Sequence, residues 1–119
     1  NSSFTNKDFP PKKKSKRFKN KTHEIDLHLH QLIDDETNFS SHEKLLFQLS
    51  ALKSYMSNKI YPKKIKEFVI IHGVGEGVLK SEIHAYLSGK PGIFHEQADF
   101  RKYGMGATKV YLKYSLINK

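Results

Sequence analysis

The sequence predicts an α/β fold: a single two-layer sandwich of order βαβαββ, with two helices on a four-stranded mixed sheet. Three observations carry it. Residues His23–Leu29 alternate apolar and polar with a period of two, two later segments carry apolar stripes at helical spacing, and strands alternate with helices before two strands close the chain. Alternating strands and helices call for parallel neighbours joined by right-handed crossovers. The last two strands then add an antiparallel edge.

In the first strand Ile25, Leu27 and Leu29 share one face, the pattern of a half-buried strand. Gln31–Ser41 is polar and carries Asp34, Asp35 and Glu36, so it reads as a loop. Ser40 followed by Glu43 has the spacing of a capping box, which satisfies the first orphan N–H groups of a helix. That helix shows Leu45, Leu49, Leu52 and Met56 on one stripe, and Asn58 and Pro62 end it. Phe68-Val69-Ile70-Ile71 is a continuous apolar run, expected of a strand covered on both faces. After a glycine loop, Val78–Leu87 turns Leu79, Ile83 and Leu87 inward, with Gly89 as its stop. Ile93–Phe100 is a weaker strand. The last strand alternates Val110, Leu112 and Tyr114 with Lys109, Tyr111 and Lys113.

Composition bounds the function classes. The 119 residues suit one domain with a modest core, and a hydrophobic share of 37% leaves part of the chain unpacked. No apolar run approaches the roughly 20 residues that span a bilayer, and no secretory leader is visible. With no cysteine there is neither a disulfide framework nor a thiolate metal site. An intracellular, cytoplasmic protein is expected, and a chain that begins at Asn1 reads as a piece of a longer one. The net charge of +9 is uneven. Residues 1–22 hold seven Lys and Arg17 against Asp8, a net +7, which leaves +2 for residues 23–119. We read residues 1–22 as a basic disordered arm or linker and 23–119 as the folded domain. Such an arm binds phosphates through counterion release, or only joins the domain to what precedes it.

Three constellations carry chemistry. In Ile71-His72-Gly73-Val74-Gly75-Glu76-Gly77-Val78-Leu79-Lys80 a buried strand runs through three alternate glycines into a helix. Successive backbone N–H groups there can converge on an anion, aided by the helix N-terminus and by Lys80 one turn in. A tight strand-to-helix turn without a ligand explains the same residues. The spacing is not that of a dinucleotide fingerprint, and the Gly-Lys-Ser/Thr of a nucleotide P-loop is missing. Second, alternation puts Asp26 and His28 on one strand face about 7 Å apart at Cα, where a carboxylate can orient an imidazole for acid–base work. A solvated polar face is the plainer reading. Third, Tyr103-Gly104-Met105-Gly106-Ala107-Thr108-Lys109 is a second glycine turn beside Arg101 and Lys102.

In this order the three segments resemble the small MutS-related (Smr) domain family. Its pattern is Leu-Asp-x-His-Gly, then His-Gly-x-Gly-x-Gly-x-Leu, then Gly-Gly-x-Gly-Ala/Val-Thr. The matching words here are Ile25-Asp26-Leu27-His28, His72 to Leu79, and Gly104 to Thr108, so the resemblance spans nearly all of 23–119. Leu29 stands where the family has glycine, and Tyr103 replaces the first glycine of the last motif. The resemblance implies the same βαβαββ sandwich and a domain that binds DNA or RNA, some members of the family being nucleases. It implies that Asp26, His28 and His72 share one surface, with the histidines as acid and base and Asp26 as orienter. Gly73, Gly75, Gly77 and Lys80, with Arg101, Lys102, Gly104, Gly106, Thr108 and Lys109, would hold the nucleic-acid backbone. No cofactor is expected; magnesium on Asp26 belongs only to a metal-assisted nuclease. A binding module, an endonuclease and a protein-interaction module stay open.

Overall fold

The computed structural model of the chain describes residues 23–33 and 38–117. The arm of residues 1–22 and the acidic stretch 34–37 lie outside them. One mixed sheet has the strand order β1-β2-β4-β3: β1 (Glu24–Asp26), β2 (Glu67–Ile71), β3 (Ile93–Gln97) and β4 (Ala107–Leu112). Between and after the strands run α1 (Leu29–Leu32), α2 (Ser41–Tyr55), α3 (Val78–Ser88), α4 (Phe100–Tyr103) and α5 (Tyr114–Ile117). β1 and β2 are parallel with Ile25 opposite Ile70, and β4 is antiparallel to both β2 and β3. This is the predicted α/β sandwich, with α2 and α3 as its two substantial helices.

The core follows from the patterning. Phe68, Ile70, Val110 and Leu112 point from the sheet towards Leu52 of α2 and Ile83 and Leu87 of α3. Each such side chain, fully buried, contributes about 1.5–3 kcal/mol of hydrophobic stabilisation. On the opposite face Val69 and Ala107 are covered by Ala98 and Tyr103, so β2 is enclosed on both sides as its unbroken apolar run predicts. No helix among the described residues is long and apolar enough to cross a membrane.

The element ends differ from the expectation in four places, each with a local cause. β1 stops at Asp26 instead of running to Leu29, because the Asp26 carboxylate accepts the His28 backbone N–H and turns the chain into α1. Leu29 therefore starts a helical turn inside what was expected to be strand and loop. Second, α2 does not end at Asn58. It widens into a π-helical turn over Met56–Ile60 that buries both of those residues. The helical path closes after Pro62: the Lys64 N–H donates to the Tyr61 carbonyl and the Ile65 N–H to the Ile60 carbonyl, with Lys64 left-handed at φ 54°. Third, β3 ends at Gln97. The Asp99 side chain caps the Arg101 N–H, and Phe100 becomes an exposed residue of α4. Fourth, Tyr114 leaves the last strand for α5, and its hydroxyl shares its one proton between the Ile65 carbonyl at 2.7 Å and the Ile60 carbonyl at 3.1 Å.

Both ends of the α2 path are thus closed by specific hydrogen bonds. At the start, the Ser40 hydroxyl accepts the Glu43 N–H while the Glu43 carboxylate accepts the Ser40 N–H, the predicted capping box. Those hydrogen bonds hold the Glu43 carboxyl below its ordinary range. We expect Ser40→Ala to cost about 1 kcal/mol and Tyr114→Phe to cost about 1 kcal/mol. The two changes lie at opposite ends of one helix, so the double variant should lose close to the sum. Urea unfolding of the four proteins checks this.

Candidate functional site

The end of β1, the loop after β2 and the turn before β4 meet at one end of the sheet. Asp26 Oδ1 lies 2.7 Å from His28 Nδ1 and also accepts the His28 backbone N–H at 2.9 Å. A carboxylate only accepts, so the proton of the ring sits on Nδ1, and Nε2 points away from Asp26. The sequence places this pair on one strand face; the structure joins the two residues through a turn past the end of β1, with their side chains hydrogen-bonded. Both side chains are about 40% exposed. His28 Nε2 faces Gly73, where an added Cβ would stand only 2.7 Å from it.

Gly73, Gly75 and Gly77 all have positive φ, at 81°, 140° and 85°. Gly77 is the N-cap of α3 and supplies no side chain, so the first N–H groups of that helix have no side-chain cap. The loop is pinned from behind: the Gly106 carbonyl accepts the backbone N–H groups of His72 and Gly73 at 2.9 and 3.0 Å. A Cβ at Gly106 would stand 3.2 Å from Gly73 Cα, so a side chain there would press on the loop backbone. In front of the loop opens a cleft of about 450 Å³, bounded across from it by Leu29, His42, Lys44 and Gln48, with Lys80 on its near side. Gln48 also donates to the Leu27 carbonyl at 2.8 Å, which ties α2 to the end of β1.

His72 is brought to the same end of the sheet but turned inward, and it is only 6% exposed. Its Nδ1 lies 2.9 Å from the Gly73 carbonyl oxygen and its Nε2 3.0 Å from Thr108 Oγ1, so both ring nitrogens are engaged within the protein. Burial lowers its pKa against the opposing hydrogen bond to the Gly73 carbonyl, with the charges of Lys80 and His28 adding to the lowering. Thr108 is equally hidden, and its hydroxyl also meets His84 Nε2 at 2.9 Å.

The profile of the Smr domain matches residues 48–113. The chain belongs to the Smr domain family. Its fold is also that of the Smr domain of Thermus thermophilus MutS2, with a TM-score of 0.53 at 22% identity over 77% of this chain and 99% of that one. No curated protein matches the chain in sequence.

Within this Smr domain the residues singled out in the sequence fall into three places. Asp26, His28, Gly73, Gly75, Gly77 and Lys80 surround the cleft or adjoin it. His72, which also lines the cleft, Gly106 and Thr108 hold the loop from behind. Arg101, Lys102 and Lys109 belong to the other side of the sheet. Lys102 pairs with Glu24, which also bonds the Tyr103 hydroxyl, and Lys109 pairs with Glu67 at 3.0 Å. Gly104, left-handed at φ 65°, follows α4 on that side. Tyr103, at the first glycine position of the last motif, is therefore a packing residue of the rear face. Sequence reasoning missed His84 and His95, whose rings stack with centroids 4.4 Å apart. Their spacing in the chain gives no period that would pair them, and only the helix-on-strand contact does so.

Burial also lowers the pKa of His84, helped by His95, Lys80 and His72. A histidine harder to protonate in the folded state than in the unfolded state costs stability as it charges. Unfolding free energy should therefore hold steady above the ordinary histidine value of 6.5 and fall as pH drops below it. Chemical denaturation between about pH 7.5 and pH 5.5 checks this. The profile of His72→Gln/His84→Gln should be flatter over that window.

Proposed function

We propose that this domain binds the phosphate backbone of DNA or RNA at the glycine loop of residues 73–77. One observation carries the reading: a side-chain-free loop of positive-φ glycines opens into an uncapped helix N-terminus on a cleft bordered by Lys80 and Lys44. A phosphate oxygen there meets backbone N–H groups, the positive end of the helix dipole and an ammonium group together. Membership of the Smr family supports the same ligand class. The arm of residues 1–22 adds its +7 to this attraction without sequence preference.

Lys80→Ala should weaken binding of a labelled oligonucleotide and lower the slope of log affinity against log salt by about 1. Gly75→Val places a side chain in open space, since nothing lies within 4 Å of the added Cβ, but at a φ that L residues rarely adopt. A loss of about tenfold in affinity, or about 1.4 kcal/mol, with an unchanged far-UV spectrum is expected. Full affinity in a folded Gly75→Val protein would remove the loop from the interface. Fluorescence anisotropy at two salt concentrations reads both.

A second reading is favoured by the Asp26–His28 pair: endonuclease activity with His28 as the proton-transferring group. His28 Nε2 faces the backbone of Gly73, where a bound phosphate would be cradled, and Asp26 fixes the ring. His72 is nearly buried with both ring nitrogens hydrogen-bonded inside the protein, so this reading rests on His28 rather than on the pair. For magnesium the donor set is thin. No group of three or more His, Asp or Glu side chains among the described residues could hold a metal ion, and Asp26 Oδ1 already accepts two N–H groups. No step is routed through a metal. If the domain cuts DNA or RNA, His28→Ala should lower the cleavage rate by roughly 10²–10⁴-fold with little change in affinity. A gel-based cleavage assay beside the anisotropy titration measures the split, and wild-type binding without turnover leaves the binding module.

A further inference from the structure

Behind the glycine loop runs a chain of side chains that the phosphate-binding reading does not use. His72 Nδ1 lies 2.9 Å from the Gly73 carbonyl oxygen, which offers only lone pairs, so the ring proton is on Nδ1. The depressed pKa of His72 leaves the ring neutral near neutral pH, and its Nε2 therefore carries no proton. Thr108 Oγ1, 3.0 Å away, must donate to that nitrogen. Having given its proton inward, the hydroxyl accepts from His84 Nε2 at 2.9 Å. The His84 ring is steadied by the stacked ring of His95, whose Nε2 is 3.3 Å from the Ser88 hydroxyl. Every proton from His84 to Gly73 is thus directed by a carbonyl at one end.

We infer that His84 and Thr108 are positioning residues whose hydrogen bonds support the His72 tautomer that the Gly73 carbonyl selects, and so keep that carbonyl turned into the protein, away from the phosphate of a bound nucleic-acid backbone. The inference rests on the phosphate-loop reading for its ligand and on the hydrogen-bond chain for its mechanism. With the opposite tautomer, the bare Nδ1 of His72 would face the carbonyl oxygen lone pair to lone pair, and the Gly73 peptide would rotate. An outward carbonyl would then repel an anion where N–H groups should meet it. The charged and titratable groups that bear on His72 and His84 are Lys80 from α3, His28 from the end of β1 and His95 from β3. Burial does most to disfavour an imidazolium on both rings and these charges add to it, while the hydrogen bond to the Gly73 carbonyl opposes it at His72.

Nitrogen-15 NMR of the imidazole rings in the full chain tests this directly. The wild-type His72 ring should show its proton on Nδ1 and a hydrogen-bonded, unprotonated Nε2. Thr108→Val should remove that hydrogen-bond signature and weaken binding of a labelled oligothymidylate by about tenfold, while Thr108→Ser restores both. His84→Phe should shift the His72 ring signals and weaken binding in the same direction, with His84→Gln, which keeps a donor, restoring them. A wild-type ring protonated on Nε2 would overturn the inference, as would a folded Thr108→Val protein with unchanged ring signals and affinity. Should Thr108→Val not fold, the wild-type spectrum and the His84 pair decide. A wild-type ring with the expected tautomer in a protein that binds no oligonucleotide refutes the phosphate-loop reading and leaves the tautomer chain standing.

Discussion

Two backbones cross at Gly73 and Gly106, and the site is arranged around that crossing. One carbonyl, that of Gly106, receives two successive N–H groups from the end of β2. It thereby sets where the sheet stops and the loop starts. A side chain at either glycine would crowd its neighbour: one at Gly106 would meet the Gly73 backbone, and one at Gly73 the His28 ring. Because the contact is between main chains, it fixes the loop to within the tolerance of hydrogen-bond geometry. Three distant segments of sequence are brought to one place by it.

The two main helices treat their first turns differently. α2 satisfies its opening N–H groups with a reciprocal Ser40–Glu43 pair, whereas α3 begins on Gly77 with no side-chain cap. Orphan donors at a helix start are normally met by side chains, water or ligands. In this domain the capped helix forms the outer wall of the cleft and the uncapped one faces into it. The side-chain cap is on one wall, and the helix start without one is on the other.

Much of this was legible in the sequence. The period-two and helical stripes found the layers, the capping box found the start of α2, and the alternate glycines marked the loop, because each is a local signal with a local cause. The ends of elements were less legible. Asp26 stops β1 through its own side chain, a choice that competes with the ladder and leaves the apolar alternation through Leu29 intact as a false cue. Pro62 reads as a stop, and the helical path closes just past it, where the Ile65 N–H and the Tyr114 hydroxyl meet the Ile60 carbonyl. The motif puts His72 on the surface of Asp26 and His28; in the structure it lines the cleft but is nearly buried, with both ring nitrogens engaged inside the protein, a property of rotamer and packing that spacing does not encode. The His84–Thr108 contact joins a helix to a strand across the layer, so no window of sequence contains it.

The brevity of β1 has a consequence for how the molecule meets its own copies. It is an edge strand of only three residues, and the Asp26 turn withdraws the chain from the sheet at once. An exposed edge is a template on which another chain can add a strand, and short edges are a recognised defence against such growth. On this side an incoming strand would find too little ladder to register against. Any sheet extension between molecules is left to β3, the five-residue edge at the far side.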